Sequence, residues 1–168
     1  MNEAPPPSPT AIKSPKSTKL FHFWRCFWLS ILAVSVPYAW YSFYVPDNEI
    51  AWANDFASAQ QQAVASGKPL ILSFTGTWCV PCRIMKRQVW ADEEVTKLVN
   101  AQFVPVAIDV DNPDNAEVLT RYKIGGPPVT VVTDPQGNAL DWRAGRVTKA
   151  EFIDLLAAPD ASTAKDAG

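Results

Sequence analysis

Between Cys26 and Val45 the chain runs for 20 residues without a formal charge, CFWLSILAVSVPYAWYSFYV. At the helical rise this is about 30 Å, the depth of a bilayer's hydrocarbon layer, so the run predicts a spanning helix rather than part of a soluble core. Trp24, Phe27 and Trp28 mark one end and Trp40, Tyr41, Phe43 and Tyr44 the other, where amphipathic rings anchor at both interfaces. Pro37 is tolerable within such a helix, and Cys26 at its edge reads as an apolar filler. Lys13, Lys16, Lys19 and Arg25 precede the run, and no Lys or Arg follows until Lys68. The positive-inside rule therefore leaves the N-terminus in the cytoplasm and sends the bulk of the chain across. A cleaved signal peptide with a late small-residue site at Ala51-Trp52-Ala53 is the competing reading, and it exports the same domain.

The charge balance agrees with this division. Residues 1–45 carry four bases against Glu3, whereas residues 46–168 carry 16 acids against 11 bases. A net charge of -2 argues against a nucleic-acid binder that works by neutralising phosphates. Three cysteines exclude a disulfide-rich scaffold, and with His22 as the single histidine they are too few for structural zinc, so no metal is expected. The organisation expected is a disordered cytoplasmic tail over 1–20, a signal-anchor helix over 21–45, one domain over 46–158 and a flexible tail over 159–168. The proline-rich tail could alternatively be a ligand for an SH3-like domain.

Within the exported part, Asp47 or Asn48 is expected to cap a helix that uses Trp52, Phe56, Ala59 and Ala63 and ends at Gly67. Pro69–Thr75 is a nearly continuous apolar run, the pattern of a strand covered on both faces. Helical spacing resumes through Ile84, Met85 and Val89, with Arg83, Lys86 and Arg87 on the wetter side, and again over Asp92–Asn100. A second strand is expected over Phe103–Val110 and a helix over Asp114–Lys123. Strands Pro128–Thr133 and Ala139–Ala144 are joined by a hairpin at Asp134–Asn138. Thr148 and Glu151 form a capping box for a last helix that buries Phe152, Leu155 and Leu156. The order α-β-α-β-α-β-β-α predicts an α/β fold with a mixed sheet covered by helices on both faces.

Trp78-Cys79-Val80-Pro81-Cys82 sets two thiols three residues apart where a strand meets a helix N-terminus. Unpaired N–H groups and the helix dipole favour a thiolate there, so Cys79 is the expected nucleophile. Cys82, one turn in and expected to be less exposed, is the expected resolving thiol. Half a zinc site lacks its other half, and haem attachment would need histidine where Arg83 stands. An inert crosslink is the remaining alternative.

Here the sequence resembles the thioredoxin superfamily, over about residues 50–158. The resemblance rests on Trp78-Cys79-x-x-Cys82 after a buried strand, on Tyr122–Pro128, and on the final strand-strand-helix. Gly67-Lys68-Pro69 and Val89–Val95 are similar to the C-terminal domain of DsbD-type transmembrane reductases. The resemblance implies a three-layer α/β/α fold with a cis proline facing the dithiol, assigned to Pro128, with Pro127 as the alternative register. Two prolines that merely start an edge strand are the bland reading. The backbone before the cis proline pairs with substrate in this family, and Pro127 has no N–H to donate.

Two departures from the family pattern concern the proton. Ser73 stands where family members often keep a buried acid, six residues before the first cysteine, and Ala107 stands near the position of a buried lysine. Ser73 cannot act as a base near neutral pH, which predicts slow resolution. Trp78 belongs to the contact rim with Val80 and Pro81 beside it, whereas Trp90 and Trp142 are expected to pack. Asp109, Asp111 and Asp114 resemble a calcium run, but Pro113 interrupts it and a solvated turn is expected.

These features together predict a membrane-tethered thiol-disulfide oxidoreductase outside the cytoplasm, acting as a reductase with no cofactor beyond the Cys79–Cys82 disulfide. Its partners would be exported proteins with disulfides and a membrane thiol electron donor. A disulfide oxidase or isomerase, and a non-catalytic client-binding module, are the alternatives. The absence of N-x-[ST] acceptors leans towards a bacterial periplasm.

Overall fold

A computed structural model describes the backbone of residues 18–163 and the side chains of residues 21–157. The expected disordered tail falls outside the described residues as far as residue 17. The chain divides into two units between Tyr44 and Val45, one residue from the expected boundary. The first unit contains α1, Thr18–Phe43, which begins three residues before the expected start of the anchor at residue 21. Its segment Phe21–Phe43 is long and apolar enough to cross a membrane by length and composition. Pro37 lies inside the helix, and Ser30 Oγ donates to Cys26 O at 2.8 Å.

The second unit is a four-stranded sheet between two helical layers. Its elements are α2 (Phe56–Ser66), β1 (Leu70–Thr75), α3 (Val80–Met85), α4 (Glu93–Gln102), β2 (Val104–Asp109), α5 (Ala116–Arg121), β3 (Val129–Thr133), β4 (Ala139–Ala144) and α6 (Lys149–Thr163). A π-helical segment, Lys86–Trp90, continues α3, and a 3-10 turn, Pro113–Asn115, precedes α5. The strand order is β2-β1-β3-β4. β1 pairs parallel with β2 and antiparallel with β3, and β3 pairs antiparallel with β4, so the expected mixed sheet is present.

Alternation along β1 explains the two layers. Ile71 joins Met85, Val89, Trp90, Val99 and Phe152 on one face, beneath α3, α4 and α6. Leu70, Leu72 and Phe74 join Ala59, Ala63 and Val118 on the other, beneath α2 and α5. Trp90 packs as expected, edge-on to Trp52 at 5.0 Å and to Phe152 at 4.8 Å between ring centroids.

Several expectations are corrected. α2 is capped by Asp55, not by Asp47 or Asn48. Ser58 N donates to Asp55 Oδ1 at 2.7 Å and Asp55 N donates to Ser58 Oγ at 3.2 Å, a reciprocal cap that residues 47 and 48 do not form. Asn48 instead accepts from Trp52 Nε1 at 2.9 Å, and Trp52 precedes the helix, which begins at Phe56. The helix expected over Asp114–Lys123 is shortened to α5 because Asn112 caps the 3-10 turn and Lys123 turns left-handed at φ 53°. Trp142 is not packed but 59% exposed, since it lies on the edge strand β4 opposite Val131, on the face of the sheet away from α6. α6 continues past Pro159, where a tail was expected, to Thr163, through alanines that favour helix; residues 164–168 are outside the described range.

Candidate active site

β1 ends at Thr75 and the chain turns through Gly76–Trp78, with Cys79 N donating to Gly76 O at 3.2 Å. Cys79 then caps α3 in an extended conformation, and its Sγ accepts the N–H of Cys82 at 3.2 Å. Pro81 lies in the first turn, where its missing N–H leaves no intrahelical bond unmade. Cys79 and Cys82 form a disulfide with a Cα–Cα separation of 5.2 Å.

The two cysteines are equally enclosed. Cys79 is 1% exposed and Cys82 4%, which corrects the expectation that Cys82 is the less exposed of the two. The disulfide draws Cys79 Sγ back over the first turn of α3, while Trp78 and Val80 on either side of it are 61% and 53% exposed. The rim around the dithiol is therefore the accessible part, and Trp78 lies in it.

Trp78 is held from a distance in sequence. Its Nε1 donates to Asp111 Oδ2 at 2.7 Å, from the loop after β2. The three aspartates expected to form a solvated turn have internal partners: Asp109 Oδ1 accepts from Asp111 N at 3.0 Å, and Asp114 N donates to Asn112 Oδ1 at 3.0 Å.

The peptide bond between Pro127 and Pro128 is cis, so Pro128 holds the position the sequence assigned to it and the alternative register is excluded. Pro128 is buried and shares a small cavity with Cys82, Ser73 and Thr75. Its carbonyl accepts from Gly145 N at 2.8 Å, which joins the start of β3 to the loop after β4. Pro127 is half-buried.

Ser73 is 8% exposed and lies opposite Ala107 on β2 and Thr130 on β3. Ala107 is exposed, and no carboxylate lines the cavity behind Cys82. A basic residue does line it. Lys86, assigned to the wetter side from its spacing, is half-buried there instead. The signal for it was present, because residue 86 lies four after Cys82 and falls on the same helical face.

A family model described as thioredoxin-like matches residues 51–135, half of the chain. The chain belongs to the thioredoxin-like family. Among curated relatives, the thiol:disulfide interchange protein DsbD of Ralstonia nicotianae is 33% identical over 94 residues, covering 55% of this chain and 16% of that protein. The chain thus spans about a sixth of the length of such relatives. Among solved structures, a thioredoxin from Thermus thermophilus superposes with a TM-score of 0.57 at 28% identity, over 62% of this chain and 82% of the other. The oxidised C-terminal domain of DsbD from Neisseria meningitidis gives 0.52 at 26% identity, over 62% of this chain and 95% of that domain. The domain is thus a thioredoxin-superfamily domain similar to the C-terminal domain of DsbD, as the sequence motifs implied.

Proposed function

We propose that the protein is a membrane-anchored thiol-disulfide oxidoreductase that reduces disulfides of exported proteins. The observation that carries the reading is the Cys79–Cys82 disulfide at the start of α3, beside the buried Pro128. In the reduced protein the Cys79 thiol loses its proton most readily, because the N–H of Cys82 points at its sulfur from the helix end. The thiolate attacks a client disulfide, one client sulfur leaves as thiolate, and a mixed disulfide forms. Cys82 sulfur then attacks Cys79 sulfur, the second client sulfur leaves, and the disulfide closes. Two electrons pass from the domain to the client, which takes up two protons.

Each turnover ends with the domain oxidised, so a reductase in an oxidising compartment needs a donor. A membrane thiol carrier is the donor class proposed, consistent with DsbD relatives that are thiol:disulfide interchange proteins. α1 supports the anchor, with the N-terminus cytoplasmic and the thioredoxin-like unit in the periplasm. Clients are then limited to proteins near the membrane.

The test is the reduction potential of the dithiol, by equilibration with glutathione buffers and thiol trapping. A value near about -270 mV supports the reductase, whereas one near about -120 mV reverses the direction and makes the protein an oxidase. A dithiol that never equilibrates points to the client-binding module instead.

A further inference from the structure

The proposed reaction requires the Cys82 thiol to lose a proton as it attacks Cys79, and no carboxylate lines the cavity behind it. Four observations converge behind that sulfur. A void of about 10 Å³ lies against Cys82, bounded by Ser73, Thr75, Lys86 and Pro128. A space of that size is about one water sphere. Thr75 Oγ1 is buried with no hydrogen-bond partner, although a buried hydroxyl ordinarily finds one. Ser73 and Thr75 face this side of the sheet because they follow Ile71 at intervals of two, and Ile71 packs with Met85 and Val89. Finally, Lys86 is brought to the same void by the helical spacing from Cys82.

We propose that one water held by the Ser73 and Thr75 hydroxyls receives the Cys82 proton, and that Lys86 is the positioning residue whose positive charge stabilises the Cys82 thiolate. The inference rests on the oxidoreductase reading. As the Cys82 S–H bond breaks, the proton passes to the water and onward to the departing client thiolate. The Cys82–Cys79 bond forms as the bond from Cys79 to the client breaks, and no net charge is created. Lys86 and Cys82 are the titratable residues that line the void. Arg83 and Arg87 lie on the same helical segment, Asp109 lies opposite Thr75 on β2, and Asp111 is engaged by Trp78.

The experiment follows the two steps separately in the purified full chain, with oxidised glutathione as the disulfide and rapid acid quench before mass analysis. The expected result is that Lys86→Met forms the mixed disulfide at the wild-type rate but resolves it about tenfold more slowly, with the pH midpoint of resolution moved up by about one unit. Lys86→Arg, which keeps the charge, should resolve within about twofold of wild type. Thr75→Val, which keeps the shape and removes the hydroxyl, should slow resolution with no change in the first step. Wild-type resolution and midpoint in Lys86→Met would overturn the role of the lysine, and wild-type resolution in Thr75→Val would overturn the water. Absence of any exchange by the wild-type protein would instead remove the oxidoreductase reading on which both rest.

Discussion

Trp78 Nε1 donates to Asp111 Oδ2 at 2.7 Å, so the residue that precedes the first cysteine is fixed by a loop 33 positions further along the chain. The bond holds a largely exposed indole in one orientation at the rim of the dithiol. Asp111→Ala is expected to lower the rate of exchange with a protein disulfide about fivefold, the worth of about one hydrogen bond, with the reduction potential unchanged. Asp111→Asn keeps an acceptor and should recover most of the rate. Equal exchange rates in wild type and Asp111→Ala would show that the bond positions nothing of consequence.

Pro127 leaves the segment before Pro128 without an N–H at the position where, by family resemblance, a client strand would pair. Pro127→Thr restores the donor. The expected outcome is a mixed disulfide that persists about fivefold longer, from one added hydrogen bond of about 1 kcal/mol. Quenched-flow measurement of its decay tests this, and an unchanged lifetime would mean that clients do not lie along that backbone.

Trp90 joins Trp52 and Phe152 in the core directly behind the dithiol layer. Trp90→Ala removes a side chain that is almost entirely enclosed and should lower stability by about 3–5 kcal/mol, read as a shift of the urea midpoint at constant slope. A shift of under about 1 kcal/mol would show that the neighbouring rings collapse into the gap.

Stability should fall in acid, and the groups responsible are helix and turn caps. The backbone N–H of Ser58 holds the Asp55 carboxyl below its ordinary value, the Lys149 ammonium does so for Asp92, and the backbone N–H of Thr148 does so for Glu151. Burial pushes Asp134 up, but hydrogen bonds from Asn138, Gln136 and Gly137 outweigh it and the net direction is down. A carboxyl depressed in the folded state contributes fully above its unfolded value, 3.8 for aspartate and 4.5 for glutamate, and loses that contribution as pH falls through the folded one. The melting temperature should therefore be flat from neutral pH to about pH 5 and drop steadily below about pH 4. Asp92→Asn should flatten part of that drop; an identical acid profile would place the loss elsewhere.

What could be read from the sequence follows from how local each signal is. The strands announced themselves because Leu70–Phe74 and Val129–Thr133 are buried on both faces, and α6 did so because Thr148 and Glu151 cap each other within one turn. The dithiol was legible for the same reason, whereas Pro128 was assigned through the resemblance of Tyr122–Pro128 to the thioredoxin-superfamily pattern. Asp55 was passed over because Asp47 and Asn48 offered equivalent side chains earlier, and the deciding partner was Ser58. The bond from Trp78 to Asp111 has no sequence signature, because it depends on where β2 ends in space. Cys79 was expected to be the more exposed of the pair because sequence describes two thiols, whereas the structure joins them in a disulfide at the start of the helix.

The outer edge of β4 shows what remains undefended after folding. Leu140 and Trp142 are open to solvent on the last strand of the sheet, where the Trp142 N–H donates to Asp141 Oδ1 and its carbonyl accepts from Arg143 Nη1 instead of being left for a foreign strand. Asp141 and Arg143 flank Trp142 and pair with each other at 2.7 Å, so any chain laid against that edge must first contend with a charge of each sign. The domain can therefore leave its edge uncovered and still resist self-association at the crowded membrane surface its proposed anchor would impose.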